Sequence, residues 1–588
     1  MKKCVLTAIG AKFIHSSLAL KYLSKFEGND QKHDLTLAEF TINQRTDHIL
    51  EELFRLQPEV IFFSCYIWNI EMIKLLTPEL KKILPNALIA LGGPEVSYNS
   101  EAFLDKHRSV DIIMRGEGEL TFTELLEHLD GSGVPLEAIR GLTFRQGERI
   151  VSTEAQEPLN LARLPFPYAD DCLDAMDKII YYESSRGCPY NCAYCLSSVE
   201  KGVRFVPLDK VYQDLQRFLD AKVRQVKFVD RTFNCNKAHT LAVWRYLAEH
   251  DNGVTNFHFE LTADLLDEEL IAFLQPLRKG LFQFEIGVQS TNPETVRAIR
   301  RTVNFDKLSK VVKAVHAAGN IHQHLDLIAG LPYEDYDAFH QSFNDVYALE
   351  PEQLQLGFLK VLSGTYLAEQ AAEWGILRRD YAPYEVLATH YLPPEDMLRI
   401  KYIEEMVESY YNSGKFQHVL RELISRETDA FAFYEGLAGY WQRENLQQQS
   451  HSRLELCDIL YDYAQGRPGF DSTRFQWLLK FDLCLHEKPR KLPQWLTVDL
   501  TGGERERIIA FYQKEAQTRQ YLSAYPELDS KALARVSHLE IFPDQTVLLF
   551  DYSRKDILGN AQYRDITAAF WALEKSMIDH GKVFSKKM

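Results

Sequence analysis

The sequence predicts an α/β protein in three parts: a doubly wound, Rossmann-like parallel sheet, a partial (β/α)6 barrel and a mainly helical C-terminal domain. Short apolar runs alternate with amphipathic segments at the start, and the same alternation resumes after a proline-rich stretch. The last part of the chain instead shows helical periodicity and is rich in Tyr, Trp and Phe. We therefore expect domains at residues 1–150, 178–375 and 376–588, with a linker at 151–177.

Composition limits the class of protein. The net charge of −16 argues against a broad face that binds nucleic acid. The longest apolar run, VIFFSCYIW, is too short to span a membrane, and the first residues lack the apolar core of a signal peptide. Nine cysteines are an odd number for a disulfide framework, so we expect reduced or metal-bound thiols in a cytoplasmic protein.

The predicted strands of the first domain end in small or polar residues. They read KCVLTAI, LTLAEF, EVIFFSCY, ALIALGGP and DIIMRGEGE. The carboxyl ends of parallel strands are the edge at which such sheets bind ligands. The pair Gly92 and Gly93 would serve equally well as a simple turn, and the lack of a GxGxxG motif argues against a dinucleotide.

Six further strands are predicted for the barrel, and their side chains alternate between two faces. The strands read KIIYYES, QVKFVDRTF, NFHFELTAD, LFQFEIGVQS, HQHLDLIAG and QLQLGFLKVL. One face is apolar, while the other carries His258, Glu260, Thr262, Gln283, Glu285, Gln289, His322, His324 and Asp326. Covering helices would take the apolar face, so the polar side chains are expected to point inward and to suit a polar ligand.

Three cysteines, Cys188, Cys192 and Cys195, lie within eight positions of one another in the spacing CxxxCxxC. A structural zinc ion requires four protein ligands, so three thiols would leave it one short. A four-iron cluster held by three thiolates instead keeps one iron open for a substrate. Gly187 and Pro189 favour the non-helical backbone that such a loop needs.

This motif, with Tyr194 before the third cysteine and a barrel-opening strand before the first, resembles the radical S-adenosylmethionine (SAM) superfamily. The resemblance implies a 4Fe-4S cluster on the three cysteines, SAM on the open iron and cleavage of SAM to a 5′-deoxyadenosyl radical. It also implies a flavodoxin- or ferredoxin-type electron donor.

The barrel further resembles the oxygen-independent coproporphyrinogen dehydrogenase branch of that superfamily. This implies that SAM is contacted by Tyr182, Tyr194, Glu260, Glu285, Gln289, Arg301 and Asp326. The usual GGE stretch after the second strand is replaced by VDRTFN, in which Asp230 is assigned the contact to the amino group.

The order of domains is similar to that of the cobalamin-binding radical SAM enzymes, over roughly residues 1–375. The resemblance implies a cobalamin at the carboxyl edge of the first sheet, contacted by Ser64, Tyr66, Gly92, Gly93, Glu95, Gly116, Glu117 and Gly118. The DxHxxG motif that supplies a lower histidine ligand is absent, and whether His15 replaces it stays open.

The function implied by this resemblance is cobalamin-dependent methylation of an unactivated carbon in a small-molecule or peptide substrate, with His322 and His324 as catalytic proton carriers. The alternative is a rearrangement or oxidation without methyl transfer. Methylthiolation of tRNA would require three more cysteines in the first domain, where only Cys4 and Cys65 are present. An Fe–S sensor without enzymatic activity would leave the SAM residues unexplained. The helical part resembles an uncharacterised C-terminal domain and indicates no substrate.

Overall fold

A computed structural model describes residues 1–168, 178–199, 201–497, 500–555 and 559–573. Residues 169–177 of the predicted linker lie outside the described residues. The chain groups into two compact units, one of Met1–Ala318, Asp326–Phe339 and Gly357–Met397, the other of Gly319–Leu325, His340–Leu356 and Leu398–Met588. The predicted domain boundaries stay a prediction.

The strands are β1 Lys3–Gly10, β2 Asp34–Thr41, β3 Val60–Ser64, β4 Leu88–Gly92, β5 Ile112–Met114, β6 Leu142–Gln146, β7 Arg149–Ser152, β8 Ile180–Tyr182, β9 Ser185–Cys188, β10 Gly202–Phe205, β11 Gln225–Phe228, β12 Asn256–Leu261, β13 Phe282–Gln289, β14 His322–Ala329, β15 Gln353–Phe358, β16 Leu377–Arg378, β17 Val386–Ala388, β18 Ser537–Ile541, β19 Val547–Lys555 and β20 Ala561–Asp565.

The helices are α1 Leu18–Lys25, α2 Asn29–Lys32, α3 Thr46–Leu56, α4 Ile70–Ile83, α5 Pro94–Ser97, α6 Ser100–Lys106, α7 Glu119–Leu129, α8 Leu208–Asp220, α9 Lys237–Glu249, α10 Glu268–Leu274, α11 Pro293–Ala298, α12 Phe305–His316, α13 Tyr336–Tyr347, α14 Tyr366–Gln370, α15 Pro394–Met406, α16 Gln417–Ile424, α17 Ala430–Arg443, α18 Arg453–Gln465, α19 Ser472–His486, α20 Gly502–Thr518, α21 Ser530–Val536 and α22 Thr567–Trp571.

The first sheet has seven strands in the order β2-β1-β3-β4-β5-β6-β7. Strands β1 to β5 are parallel, and β6 and β7 add an antiparallel edge. Ile61 and Phe63 pack into one apolar core and Val60 and Phe62 into another, because successive side chains leave opposite faces of the sheet. Cores on both faces confirm the predicted doubly wound domain.

The second sheet has six strands in the order β15-β14-β13-β12-β11-β8, as a partial barrel in chain order requires. All six predicted barrel strands are therefore confirmed. Burial alternates along β13: Phe282, Phe284, Ile286 and Val288 are buried, whereas the residues between them are half-buried. Helix α8 covers the apolar side with Val211, Leu215, Phe218 and Leu219, as its periodicity predicts.

The C-terminal part is mainly helical, as predicted, from α15 to α21. A three-stranded antiparallel sheet, β18-β19-β20, follows these helices. Side-chain capping boxes at Ser452 and Thr501 define the starts of α18 and α20. Within the part of the chain that the structure describes, no helix has the length and apolar character needed to cross a membrane.

Candidate active site

The cysteine loop starts from a short β-ribbon. Strand β9, which ends at Cys188, pairs with β10 in antiparallel register. Gly187 has a φ of 103°, and a Cβ atom at this position would lie 2.1 Å from the carbonyl oxygen of Gly202. Only glycine permits this approach, so Gly187 allows the two strands of the ribbon to come close together immediately before the first cysteine.

Backbone hydrogen bonds hold the rest of the loop. The amide of Ala193 donates to the carbonyl of Ile299 at 2.9 Å, and the amide of Leu367 donates to the carbonyl of Ala193 at 2.8 Å. Cys192 is buried, whereas Cys188 and Cys195 are half-buried. The three thiols are thus presented from a fixed loop with partial access to the surroundings.

Arg301 lies against this loop. Its Nη1 is 3.8 Å from the sulfur of Cys192 and 3.2 Å from the hydroxyl oxygen of Tyr194, and its Nη2 donates to the carbonyl of Gly287. The Nε of Arg301 is buried without a hydrogen-bond partner, and so is the Oε1 of Gln289. Buried polar atoms are normally satisfied, so this pair indicates a site for a polar ligand beside the cysteines.

The inner face of the barrel carries a charged cluster. The Nζ of Lys227 is 2.8 Å from the Oε2 of Glu285, and the Nε2 of His258 is 3.1 Å from the same oxygen. Burial would raise the pKa of Glu285, but the hydrogen bond from His258 and the charge of Lys227 hold it well below its usual range. Glu285 is therefore ionised at any physiological pH.

Glu260 has the opposite character. Burial raises the pKa of Glu260 to about 7, against the opposing charge of Arg231, and the carboxylates of Glu285 and Asp326 add to the increase. The two predicted SAM residues on β12 and β13 thus differ in charge state, and only Glu260 is poised to change it near neutral pH.

Tyr182, which the resemblance implies as a SAM contact, does not lie on the inner face of the barrel sheet. Its hydroxyl donates to the Oδ2 of Asp214 on α8 at 3.2 Å, and its ring packs against Phe218 and Phe228. The side chain is buried beneath a covering helix, while the neighbouring Tyr181 takes the other face of β8. In this three-residue strand it is therefore Tyr181, and not Tyr182, that lies on the face opposite α8.

Asp230 is fully engaged with the start of the ribbon. Its carboxylate accepts hydrogen bonds from the amide of Ser184 at 3.0 Å, the Oγ of Ser184 at 2.7 Å and the Oγ of Ser185 at 2.5 Å. Burial raises the pKa of Asp230 to about 6, although these hydrogen bonds oppose the increase. Asp230 therefore holds the residues before the cysteine loop with three of the about four hydrogen bonds that a carboxylate can accept.

The loops after β3 and β4 are joined at the carboxyl edge of the first sheet. The amide of Cys65 donates to the carbonyl of Gly92 at 2.7 Å, and a Cβ atom on Gly93 would lie 2.6 Å from the carbonyl oxygen of Cys65. Ser64 ends β3, and the ring of Tyr66 stacks on Trp68 with centroids 4.5 Å apart. Trp68 is 44% exposed, so the edge offers an apolar surface that a large planar ligand can cover.

Two predicted cobalamin residues at this edge have other partners. Glu117, between Gly116 and Gly118 in the loop before α7, forms ion pairs with Arg186 and Arg204 of the ribbon. Burial raises the pKa of Glu95, and a hydrogen bond with Tyr384 opposes that increase. The carboxylate of Glu117 is thus committed to the ribbon, which argues against its predicted contact with cobalamin.

His15 is tied to the barrel. Its Nδ1 lies 2.6 Å from the hydroxyl oxygen of Tyr181, and the amide of Ile179 donates to the carbonyl of Ile14 at 2.8 Å. Burial lowers the pKa of His15, and nearby lysines lower it further. One ring nitrogen is therefore occupied by Tyr181 in this structure.

The structure places both predicted catalytic histidines on β14, with His324 buried and His322 half-buried. Their role stays a prediction. Sequence reasoning missed Lys227 and Arg186, which carry much of the positive charge of the site. Lys227 could have been found, since it alternates with the buried Val226 and Phe228; Arg186 gave no such signal.

Family models match three consecutive parts of the chain. The B12 binding domain matches residues 5–126, the radical SAM superfamily matches residues 182–346, and a protein of unknown function (DUF4080) matches residues 372–556. The chain thus combines a B12 binding domain with a radical SAM domain, the domain pair of the cobalamin-binding radical SAM family. It is an enzyme whose cofactors are a 4Fe-4S cluster, SAM and cobalamin.

Two curated relatives and one solved structure are similar to this chain. The cobalamin-dependent radical SAM methyltransferase TokK of Streptomyces tokunonensis is 26% identical over 553 residues, which cover 84% of this chain and 77% of TokK. The anaerobic magnesium-protoporphyrin IX monomethyl ester cyclase of Synechocystis sp. is 25% identical over 416 residues, or 65% of this chain and 79% of the cyclase. The structure of the cobalamin-dependent S-adenosylmethionine radical enzyme OxsB has a TM-score of 0.58 at 16% identity, over 79% of this chain and 75% of OxsB, and so shares the fold.

The residues of the site fit the family's cofactors. Three thiols on a fixed loop suit a cluster with one open iron, and the unpartnered atoms of Arg301 and Gln289 suit the polar groups of SAM. The exposed ring of Trp68, at the edge where parallel sheets bind ligands, suits cobalamin.

Proposed function

We propose that this enzyme is a cobalamin-dependent radical SAM methyltransferase that acts on an unactivated carbon of a small-molecule or peptide substrate. The observation that carries the proposal is the relation to TokK, a methyltransferase of that type, because it extends over 84% of this chain. The joined loops of the first sheet and the unpartnered polar atoms beside the cysteine loop support it.

The roles of the residues follow from their positions. When bound, the cluster supplies the electron that cleaves SAM, and cobalamin carries the methyl group. Cys188, Cys192 and Cys195 hold the cluster. Arg301, fixed by the carbonyl of Gly287, offers its unpartnered Nε to a carboxylate, which forms strong charge-assisted hydrogen bonds with a guanidinium.

The remaining roles are inferred from charge and burial. The ionised form of Glu260 would accept hydrogen bonds from hydroxyl or amino groups of SAM. His322 and His324 would carry protons to or from the substrate. A flavodoxin- or ferredoxin-type protein would deliver the electron. A cytoplasmic location is supported by the cysteines that the structure describes, eight in number, all of them free thiols.

The decisive experiment compares two cysteine variants after anaerobic reconstitution. Cys192→Ala should lose the iron of the cluster and the formation of 5′-deoxyadenosine from SAM. The matched control is Cys235→Ala, a half-buried cysteine outside the motif, which should keep both. An intact cluster and SAM cleavage in Cys192→Ala would refute the proposal. Transfer of a deuterated methyl group from SAM to product then tests methylation itself.

A second function is favoured by one observation. The Synechocystis cyclase is similar over 65% of this chain, and its name describes ring closure rather than methyl transfer. If 5′-deoxyadenosine forms with substrate present while no product carries the deuterated methyl group, oxidation or rearrangement replaces methylation as the proposed reaction.

A further inference from the structure

Two arginines face each other on the ribbon that carries the first cysteine. Arg186 of β9 and Arg204 of β10 pair directly in the antiparallel register. Arg186 lies one residue before Gly187 and two residues before Cys188. Like charges directly opposite each other on paired strands are destabilising. The ribbon therefore needs an anion between these side chains to keep its register.

The anion comes from the carboxyl edge of the first sheet. One carboxylate, that of Glu117, meets both arginines: Oε2 lies 3.1 Å from the Nη1 of Arg186, and Oε1 is paired with the Nη2 of Arg204. Glu119, at the start of α7, adds a contact of 2.8 Å to the Nη2 of Arg186. The side chains of Glu117 and Glu119 are only 14% and 6% exposed, so solvent screens these pairs weakly.

The segment between the two sheets enters the same junction. The amide of Leu159 donates to the Oε2 of Glu117 at 3.0 Å, and the Nη1 of Arg204 donates to the carbonyl of Leu159 at 2.6 Å. Glu183, before the ribbon, accepts from Arg186 at 2.8 Å, so three carboxylates surround the two guanidinium groups. Three separate stretches of chain thus converge on one carboxylate.

We propose that Glu117 and Glu119, with Arg186 and Arg204, are positioning residues that fix the cobalamin edge of the first sheet to the ribbon of the cysteine loop. The binding of cobalamin at this edge rests on the proposed function, whereas the contacts between the edge and the ribbon do not. These four residues set the distance between the cobalamin and the cluster and not the affinity of the chain for either cofactor. Loss of one of these ion pairs should make the ribbon more mobile, so that the distance between the two cofactors takes a range of values.

The first test needs no cofactor. In the full-length cofactor-free chain, Glu117→Gln keeps the shape of the side chain but removes its charge. Amide hydrogen exchange of residues 185–205 should rise by about tenfold or more, because the ribbon opens locally. The control is Glu148→Gln, which removes a 93% exposed partner of Arg108 in the same domain and should leave this exchange unchanged. Exchange at the wild-type rate in Glu117→Gln overturns the proposal.

The second test measures the separation itself. In the reconstituted enzyme, magnetic coupling between cob(II)alamin and the reduced cluster should be uniform in the wild type and broadened in Glu117→Gln, with SAM still bound. Arg204→Lys, which keeps the charge but loses the forked contact, serves if Glu117→Gln does not fold, and should also broaden the coupling. An unchanged coupling in the variant overturns the proposal. A wild-type enzyme that binds no cobalamin would instead overturn the proposed function, and the exchange experiment would still decide on the junction.

Discussion

The replacement Glu260→Gln should change how the stability of the cofactor-free chain depends on pH. Burial raises the pKa of Glu260 from 4.5 to about 7, so between these values the folded chain binds a proton that the unfolded chain has released. Stability therefore falls as the pH rises through this window. The interval corresponds to about 3 kcal/mol at 1.36 kcal/mol per pH unit. Glutamine is neutral at every pH, so the variant should not lose this stability as the pH rises.

The assay is urea denaturation of both proteins at a series of pH values. Below pH 4.5 the two should unfold at similar urea concentrations, and above pH 7 Glu260→Gln should be the more stable by up to about 3 kcal/mol. Glu148→Gln, at a 93% exposed position, is the control and should follow the wild type throughout. Parallel pH profiles for Glu260→Gln and wild type would refute the argument that burial sets the charge of this carboxyl.

Three further predictions concern the surroundings of the cysteine loop. Gly187→Ala should lower the iron content after reconstitution severalfold, measured by iron and sulfide analysis, because its Cβ would collide with the carbonyl of Gly202 at 2.1 Å; normal iron content would contradict the assigned backbone constraint. Tyr182→Phe should leave the affinity for SAM within about twofold while lowering stability by about 1 kcal/mol, since its hydroxyl is bonded to Asp214; a large loss of affinity in equilibrium binding would return Tyr182 to the site. Arg301→Lys should weaken SAM binding by about tenfold or more, because lysine has no counterpart of the unpartnered Nε; unchanged binding would exclude a direct contact.

The sequence predicted β13 well because both of its faces leave a clear signal. Phe282, Phe284 and Ile286 alternate with Gln283 and Glu285 over a strand of eight residues, and burial follows that alternation. Strand β8 has only three residues, Ile180–Tyr182, with tyrosines at adjacent positions, so neither composition nor length determined which ring faces inward. Long alternating strands were therefore predictable, and the short one was not.

The role of Glu117 could not be predicted, because its partners are distant in sequence. Arg204 lies 87 residues away, and the pair depends on how the ribbon and the loop before α7 meet. A glutamate between two glycines at a ligand-binding edge has the pattern of a binding residue. Tertiary contacts of this kind leave no periodicity in the sequence, so predictions for isolated loop residues are less secure than those for strands.

The bond between His15 and Tyr181 has a practical consequence for work on fragments. A fragment that ends with β7 would lack Tyr181, and the imidazole would lose the partner that it has in the full chain. In such a fragment the imidazole would be free to change its tautomer and its orientation, whereas Tyr181 fixes the Nδ1 side of the ring in the longer chain. Spectra of cobalamin should therefore be recorded on the whole chain, in which this hydrogen bond is present.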